Sequence, residues 1–194
     1  MSVRYYDYFH TTLPILPDDP SQLAAALEAV PVVIKQAFIA SFNVSTKSVT
    51  STPSNQDISY ASNAYLAAKS GPSSVPANLL RLQSMIFLAL TDALNFAEPS
   101  NTTPWLGGAI NLASSMHLQK MKSTNPEAGA ILRRTYLVLV ILDRWFAAAR
   151  SGATLISDDS IRIDESDHSL LGSPAYHLLR KHTRCKARFL TNNV

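Results

Sequence analysis

Residues 133–152 read RRTYLVLVILDRWFAAARSG, the stretch of this 194-residue chain that sets the most charge into the most apolar surroundings. A helix fit for a core that carries two arginines at its head and an Asp-Arg pair in its middle must find partners for them, because an unpaired buried charge is costly. Adjacent helical residues point about 100° apart, so Asp143 and Arg144 are each expected to pair with another element rather than with each other. Arg144 shares a face with Arg133, Leu137, Val140, Ile141 and Ala148, and Asp143 shares one with Tyr136 and Arg150. The chemistry this suggests is a structural charge network that fixes helix register, or a switch if such a network rearranges around a ligand.

Other reactive constellations are incomplete. DDSIRIDESD (158–167) is acid-rich, but Asp164 falls five residues after Asp159, which misses the spacing of a magnesium-diphosphate motif and reads as a solvated acidic loop. Glu165 and His168 form half of a di-iron carboxylate pattern, whose second copy and further glutamates are lacking. His10, His117, His168, His177 and His182 are scattered, and none stands with a Ser and an Asp in a recognised nucleophile setting. Cys185 is the sole cysteine, so neither an internal disulfide nor a multi-cysteine zinc site can be built from these residues, and a reducing, intracellular setting is expected. Trp105 and Trp145 lack interleaved Lys and Arg and are read as core or interface anchors rather than base-stacking platforms. No catalytic residue, cofactor ligand or metal ligand is assigned.

The elements that must position these residues are helices. Apolar spacing is helical and no stretch alternates long enough to argue a sheet, which predicts an all-α fold, an irregular bundle or superhelical array of about seven to eight helices. Prolines punctuate HTTLPILPDDP; a helix follows with Ser21 as its cap, and Pro31 opens another. NVSTKSVTSTPSNQ is rich in Ser and Thr, so 45–55 is expected to be a mobile loop, with Asp57 capping the next helix. ANLLRLQSMIFLALTDALNFAE places Arg81, Ser84, Thr91, Asp92 and Asn95 near one stripe and is otherwise apolar. In PWLGGAINLASSMHLQKM the small residues Gly107, Gly108, Ala109, Ala113 and Ser114 allow a close neighbour. A long helix opened by Pro126 and running to about Gly152 is the expected spine, and SPAYHLLRK starts the last helix.

Hydrophobic residues make up 46% of the chain and charged residues 16%, fewer charges than a soluble domain usually shows, so a hidden partner surface or a missing part of the fold is expected. The formal charge of +3 is local: Arg180, Lys181, Arg184, Lys186 and Arg188 contribute five positives in a stretch without acids, and the residues before them are slightly acidic. That tail could touch phosphate weakly; the body offers no basic face to grip a nucleic acid. No run approaches the roughly 20 apolar residues that cross a bilayer, so no membrane contact is expected.

Five pieces of sequence in a fixed order resemble a known family. They are YFHTTLPILP (8–17), Leu82-Gln83 opening LQSMIFLAL, GGAINLASSMHLQK (107–120), the series Arg133, Arg134, Tyr136, Asp143 and Arg144, and finally Ile156, Asp158 and Ile161. Together, across residues 5–165, they are similar to the middle regulatory domain of fungal zinc binuclear-cluster transcription factors. The departures are local: Gly152-Ala153-Thr154 stands where the family has Gly-Arg-Pro, His117-Leu118-Gln119 where it has a Gly-Leu-His turn, Asn111 where it has an Arg, and Asp164-Glu165 where it has Leu-Pro.

The resemblance implies a non-catalytic domain that controls DNA-templated transcription in the nucleus through ligand or protein contacts, with a homodimer or transcriptional co-regulators as partners. It adds Asp158 to the charge network of Arg133, Arg134, Asp143 and Arg144. Zinc and DNA recognition would belong to a six-cysteine cluster that a sole Cys185 cannot form. Residues 1–179 are thus read as a partial regulatory domain and 180–194 as a disordered basic tail foreign to the family, the mark of a fragment or truncated gene model. On that reading, 79–96 and 131–149 are expected to expose apolar faces. The competing readings are a small all-α enzyme or small-molecule binder with a pocket between apolar helices, and a helical adaptor.

Overall fold

The computed structural model describes residues 5–6, 9–95, 102–120, 128–150, 152–163 and 165–191, with no account of the side chains of 102–103, 128 and 182–191. Among the described residues the regular structure is all helical: α1 (Pro20–Glu28), α2 (Val32–Thr50), α3 (Asn55–Lys69), α4 (Val75–Leu94), α5 (Thr102–Ser115), α6 (Ala128–Ala149) and α7 (Ser166–Thr191). Two short 3-10 turns, Leu118–Lys120 and Asp158–Ser160, complete the order. The chain forms two compact units, one built mainly from Pro17–Ala113 and the other from Val3–Leu16 with Ser114–Val194.

In the first unit α2, α3 and α4 pack on one another. Its centre is aromatic: Phe87 of α4 meets Phe38 and Phe42 of α2 edge to face, with ring centroids 6.0 and 5.4 Å apart. The segment expected to be a mobile loop is helical through Thr50 instead. Its hydroxyls do not need water, because they bond back to the preceding turn: Thr46 Oγ1 donates to the Phe42 carbonyl at 3.0 Å and Ser48 Oγ to that of Val44 at 2.9 Å. Thr46 is accordingly buried, as are Val44 and Ser45, although the Ser45 hydroxyl has no partner among the described residues.

Two caps sit a few residues ahead of the positions expected from sequence. Asp19, not Ser21, caps α1 and accepts from the Ser21 backbone N–H at 2.8 Å, with Pro20 filling the first helical position. Ser54 caps α3 in a reciprocal pair with Asp57 three residues on: the Asp57 N–H donates to Ser54 Oγ at 3.1 Å, and the Ser54 N–H to Asp57 Oδ2 at 3.0 Å. Lys47 of α2 reaches the same carboxylate at 2.6 Å, and these contacts, that of Lys47 first, hold Asp57 down at about 2. Gly108 of α5 brings its backbone against α4, where an added Cβ would lie 3.0 Å from Met85 Sδ.

The second unit is organised by α6, 22 residues and so about 33 Å long. It starts at Ala128; its expected opening at Pro126 lies outside the described residues. The turn after α5 puts His117 at φ 55°, a left-handed conformation that favours glycine. Helix α7 begins at Ser166, seven residues before the expected start, and breaks at Gly172, whose φ of 71° and ψ of 161° suit glycine alone. Pro174 then occupies the first turn of the resumed helix, where its missing N–H costs nothing. The backbone stays helical to Thr191, so the segment expected to be disordered continues α7 over 180–191; it holds no Gly or Pro, and its Lys, Arg, Ala and Leu are good helix formers.

Of the apolar faces expected to be exposed, 79–92 and 132–144 are buried throughout, whereas Leu94 and Trp145, near the ends of the two stretches, are exposed. No helix among the described residues is long and apolar enough to cross a membrane.

Candidate functional site

Three charged clusters radiate from α6, all within the second unit. The first secures the proline-punctuated segment. Pro14 and Pro17 have no N–H to give, so 13–16 cannot join a regular ladder, and beyond the Leu13 N–H to Phe9 and Ile15 N–H to Leu13 turn bonds its backbone groups turn to side chains. Tyr5 supplies them: its phenol accepts from the Ile15 and Leu16 N–H groups at 2.9 and 3.1 Å and donates to the Leu13 carbonyl at 3.2 Å. Burial pushes the Tyr5 phenol up, against the opposing pull of those N–H groups, which keeps it in the protonated form that can donate. Arg134 then bonds to the Leu16 carbonyl through Nη2.

Arg133 carries the second cluster. Its Nε and Nη2 meet the two oxygens of Asp167 at 3.0 and 2.7 Å, a bidentate pair whose side chains are only 3% and 0% exposed. The same Nη2 bonds to the Arg162 carbonyl, and the guanidinium lies 5.9 Å from the centre of the Tyr136 ring. Asp167 is in the first turn of α7, where the helix end favours an anion.

The third cluster corrects the expectation that Asp143 and Arg144 avoid each other. Arg144 Nη1 donates to Asp143 Oδ2 at 2.7 Å. The angular offset separates the two Cβ atoms, but the arginine is long enough to fold back, and both side chains turn toward the chain after α6. There Asp143 Oδ1 accepts from the Leu155 N–H at 2.8 Å and Oδ2 from the Ile156 N–H at 3.1 Å. Arg144 Nη2 donates to the Ile156 carbonyl at 2.9 Å and to Asp158 Oδ1 at 2.6 Å. Asp143 and Arg144 are buried, whereas the Asp158 side chain is 40% exposed and forms the open end of the network.

Arg133, Arg134, Asp143, Arg144 and Asp158 thus all belong to α6 or to what α6 holds, but in three separate clusters. Sequence reasoning missed Tyr5, Asp167 and the backbone acceptors. Asp167 falls in the stretch read as a solvated acidic loop, and with the last helix expected to start only at Ser173 no local signal marks it. Chemically the clusters hold loops in place. The carboxylates of Asp143 and Asp167 face guanidinium groups.

Among the described residues no group of three or more His, Cys, Asp or Glu is placed to hold a metal ion. His168 packs edge to face on Tyr176 at 4.9 Å. Trp105, expected as an anchor, meets Tyr65 edge to face at 5.3 Å, while Trp145 is 36% exposed. Of the basic residues proposed to touch phosphate, Arg180 lies over the Tyr176 ring at 5.8 Å and Lys181 is exposed. Arg184, Lys186 and Arg188 lie on the same helix with side chains outside the described residues.

No family model matches the chain, and no solved structure matches it. It is similar to an uncharacterized transcriptional regulatory protein of Schizosaccharomyces pombe, 28% identical over 201 residues that take in 91% of this chain. The chain spans 22% of that relative's length.

Proposed function

We propose that this chain is a regulatory, non-catalytic domain of a fungal-specific transcription factor, acting in the nucleus on DNA-templated transcription. The observation that carries the reading is the alignment of nine-tenths of the chain with a protein named as a transcriptional regulator. A second line of support is physical. Of the five sequence pieces behind the resemblance, three converge on α6: the Leu13–Leu16 segment through Arg134, the arginines and Asp-Arg of α6 itself, and Ile156 with Asp158 through Arg144. Residues that seem unrelated along the sequence therefore have one structural role, which is how a set of dispersed motifs marks a domain type.

On this reading the chain passes on a ligand or partner signal, and DNA recognition lies with a zinc cluster outside these residues. The test places the chain between an unrelated DNA-binding domain and an activation domain in a yeast reporter. The expected result is a severalfold change in reporter output at equal protein level, lost when Asp143→Asn and Arg144→Met together release the chain from 155–158. An output that never differs from the fusion lacking the chain, across carbon and nitrogen sources, would refute the regulatory role.

A further inference from the structure

We infer that the cleft between α3, α4 and α5 in the first unit is a binding site for a small organic carboxylate with an aromatic or similarly flat apolar body. The cleft has a volume of about 450 Å³, within the range of small-molecule sites. Its chemistry centres on Arg81, only 5% exposed. Nε donates to the Ala68 carbonyl at 3.0 Å, and Nη1 donates to the Pro72 carbonyl at 3.0 Å and to Asn78 Oδ1 at 2.9 Å. Nη2 has no acceptor. All three partners are neutral, so among the described residues the guanidinium is a buried cation without a counter-ion, a state that proteins otherwise resolve by pairing.

Everything else around the cleft points to an anion as the missing partner. Lys69 adds a second positive charge, Ser73 and Asn111 add polar groups, and none of the described lining residues is acidic. Gly71 lines the same cleft, and an added Cβ there would sit 2.9 Å from Nη2, itself a buried atom. The lining also holds apolar surface, with Trp105 set edge to face against Tyr65, and Met85. One end of a ligand is therefore drawn to the positive charge of Arg81, whose Nη2 is the nitrogen left without an acceptor, and the other end to an aromatic surface. An inorganic oxyanion would leave that surface without a partner.

Binding rests on the cleft alone; that the ligand acts as an effector rests on the regulatory reading above, and the reporter assay and a binding assay fail separately. Benzoate is the probe. In the full chain the Trp105 indole N–H resonance, followed by 1H–15N spectroscopy, should shift and saturate with a dissociation constant on the order of 1 mM, as expected for so small a ligand. Trp145, outside the cleft, should stay in place and serves as the internal check on folding.

Arg81 also ties down backbone, so Arg81→Lys tests the site but also perturbs the fold. Lys69→Gln, at an exposed position, should weaken benzoate at least threefold with both indole resonances otherwise unchanged. Benzyl alcohol and inorganic phosphate should not produce the shift. Overturning results are a Trp105 resonance unmoved by benzoate up to about ten times that dissociation constant, equal binding of benzyl alcohol or phosphate, or a Lys69→Gln chain that binds as the parent does.

Discussion

Asp167→Ala isolates the Arg133 cluster. It removes both carboxylate oxygens from a guanidinium that is almost wholly buried, and leaves the Arg162 carbonyl as its acceptor among the described residues. Breaking a buried pair from one side typically costs about 3–5 kcal/mol, because the abandoned charge keeps its desolvation penalty and loses its compensation. For a chain of this size each kcal/mol lowers Tm by roughly 2–4 °C, so a fall of about 6–20 °C is expected. Replacing both partners, Arg133→Met with Asp167→Leu, removes the charge as well as its partner and should recover most of that loss.

The assay is thermal unfolding of the four members of the cycle by circular dichroism at neutral pH. A surface control is at hand: Lys35 and Glu28 pair at 2.7 Å with Glu28 77% exposed, so Lys35→Ala should cost under about 1 kcal/mol and its effect should fade in salt. The reasoning is refuted if Asp167→Ala unfolds within a degree or two of the parent, or if the double variant is as unstable as the sum of the singles.

Asp92 of α4 is buried with Oδ2 unpartnered, and burial raises it to about 6. A carboxyl raised above its unfolded value destabilises the fold as pH climbs from about 4 to 6, by up to roughly 3 kcal/mol for a two-unit shift, so Asp92→Asn should raise Tm at pH 7 and leave it unchanged at pH 4. His117 is exposed and left-handed, so His117→Gly should stabilise the chain by about 0.5–1 kcal/mol in chemical denaturation. Binding to duplex DNA should be weak, indifferent to sequence and steeply salt-dependent; changing Arg180, Lys181, Arg184, Lys186 and Arg188 to Gln should abolish it, as followed by fluorescence anisotropy.

What the sequence disclosed and what it withheld follow from the range of each interaction. Helices were legible because their apolar period and their breakers act within a few residues, and the charge pattern of α6 announced that partners must exist. The partners themselves were not legible. Asp167 lies 34 residues from Arg133, and nothing local separates an acid that ends up buried from its neighbours Asp159 and Glu165, which stay exposed. The helix over 45–50 was hidden for a different reason: Ser and Thr count as polar in any composition, yet on a helix their hydroxyls can be satisfied one turn back, as those of Thr46 and Ser48 are. The Asp143–Arg144 expectation treated side chains as directions, whereas an arginine has the length to cancel an angular offset when a loop supplies acceptors on the near side.

Arg81 shows the same limit from the other side. Along the sequence it is one polar residue in a stripe with Ser84, Thr91, Asp92 and Asn95. Ser84 and Thr91 bond back to the helix carbonyls of Leu80 and Phe87, as helical hydroxyls do, at 2.7 and 2.9 Å. Asp92 is buried with an idle oxygen, a state that protonation relieves. An arginine has no such escape, since it stays charged at any pH the fold survives. A buried guanidinium with one idle nitrogen and only neutral acceptors must therefore either cost stability permanently or be completed by something that arrives, and Tm in the presence of ligand decides between these: binding at the cleft should raise it, and an unchanged Tm at saturating benzoate would leave the cost standing.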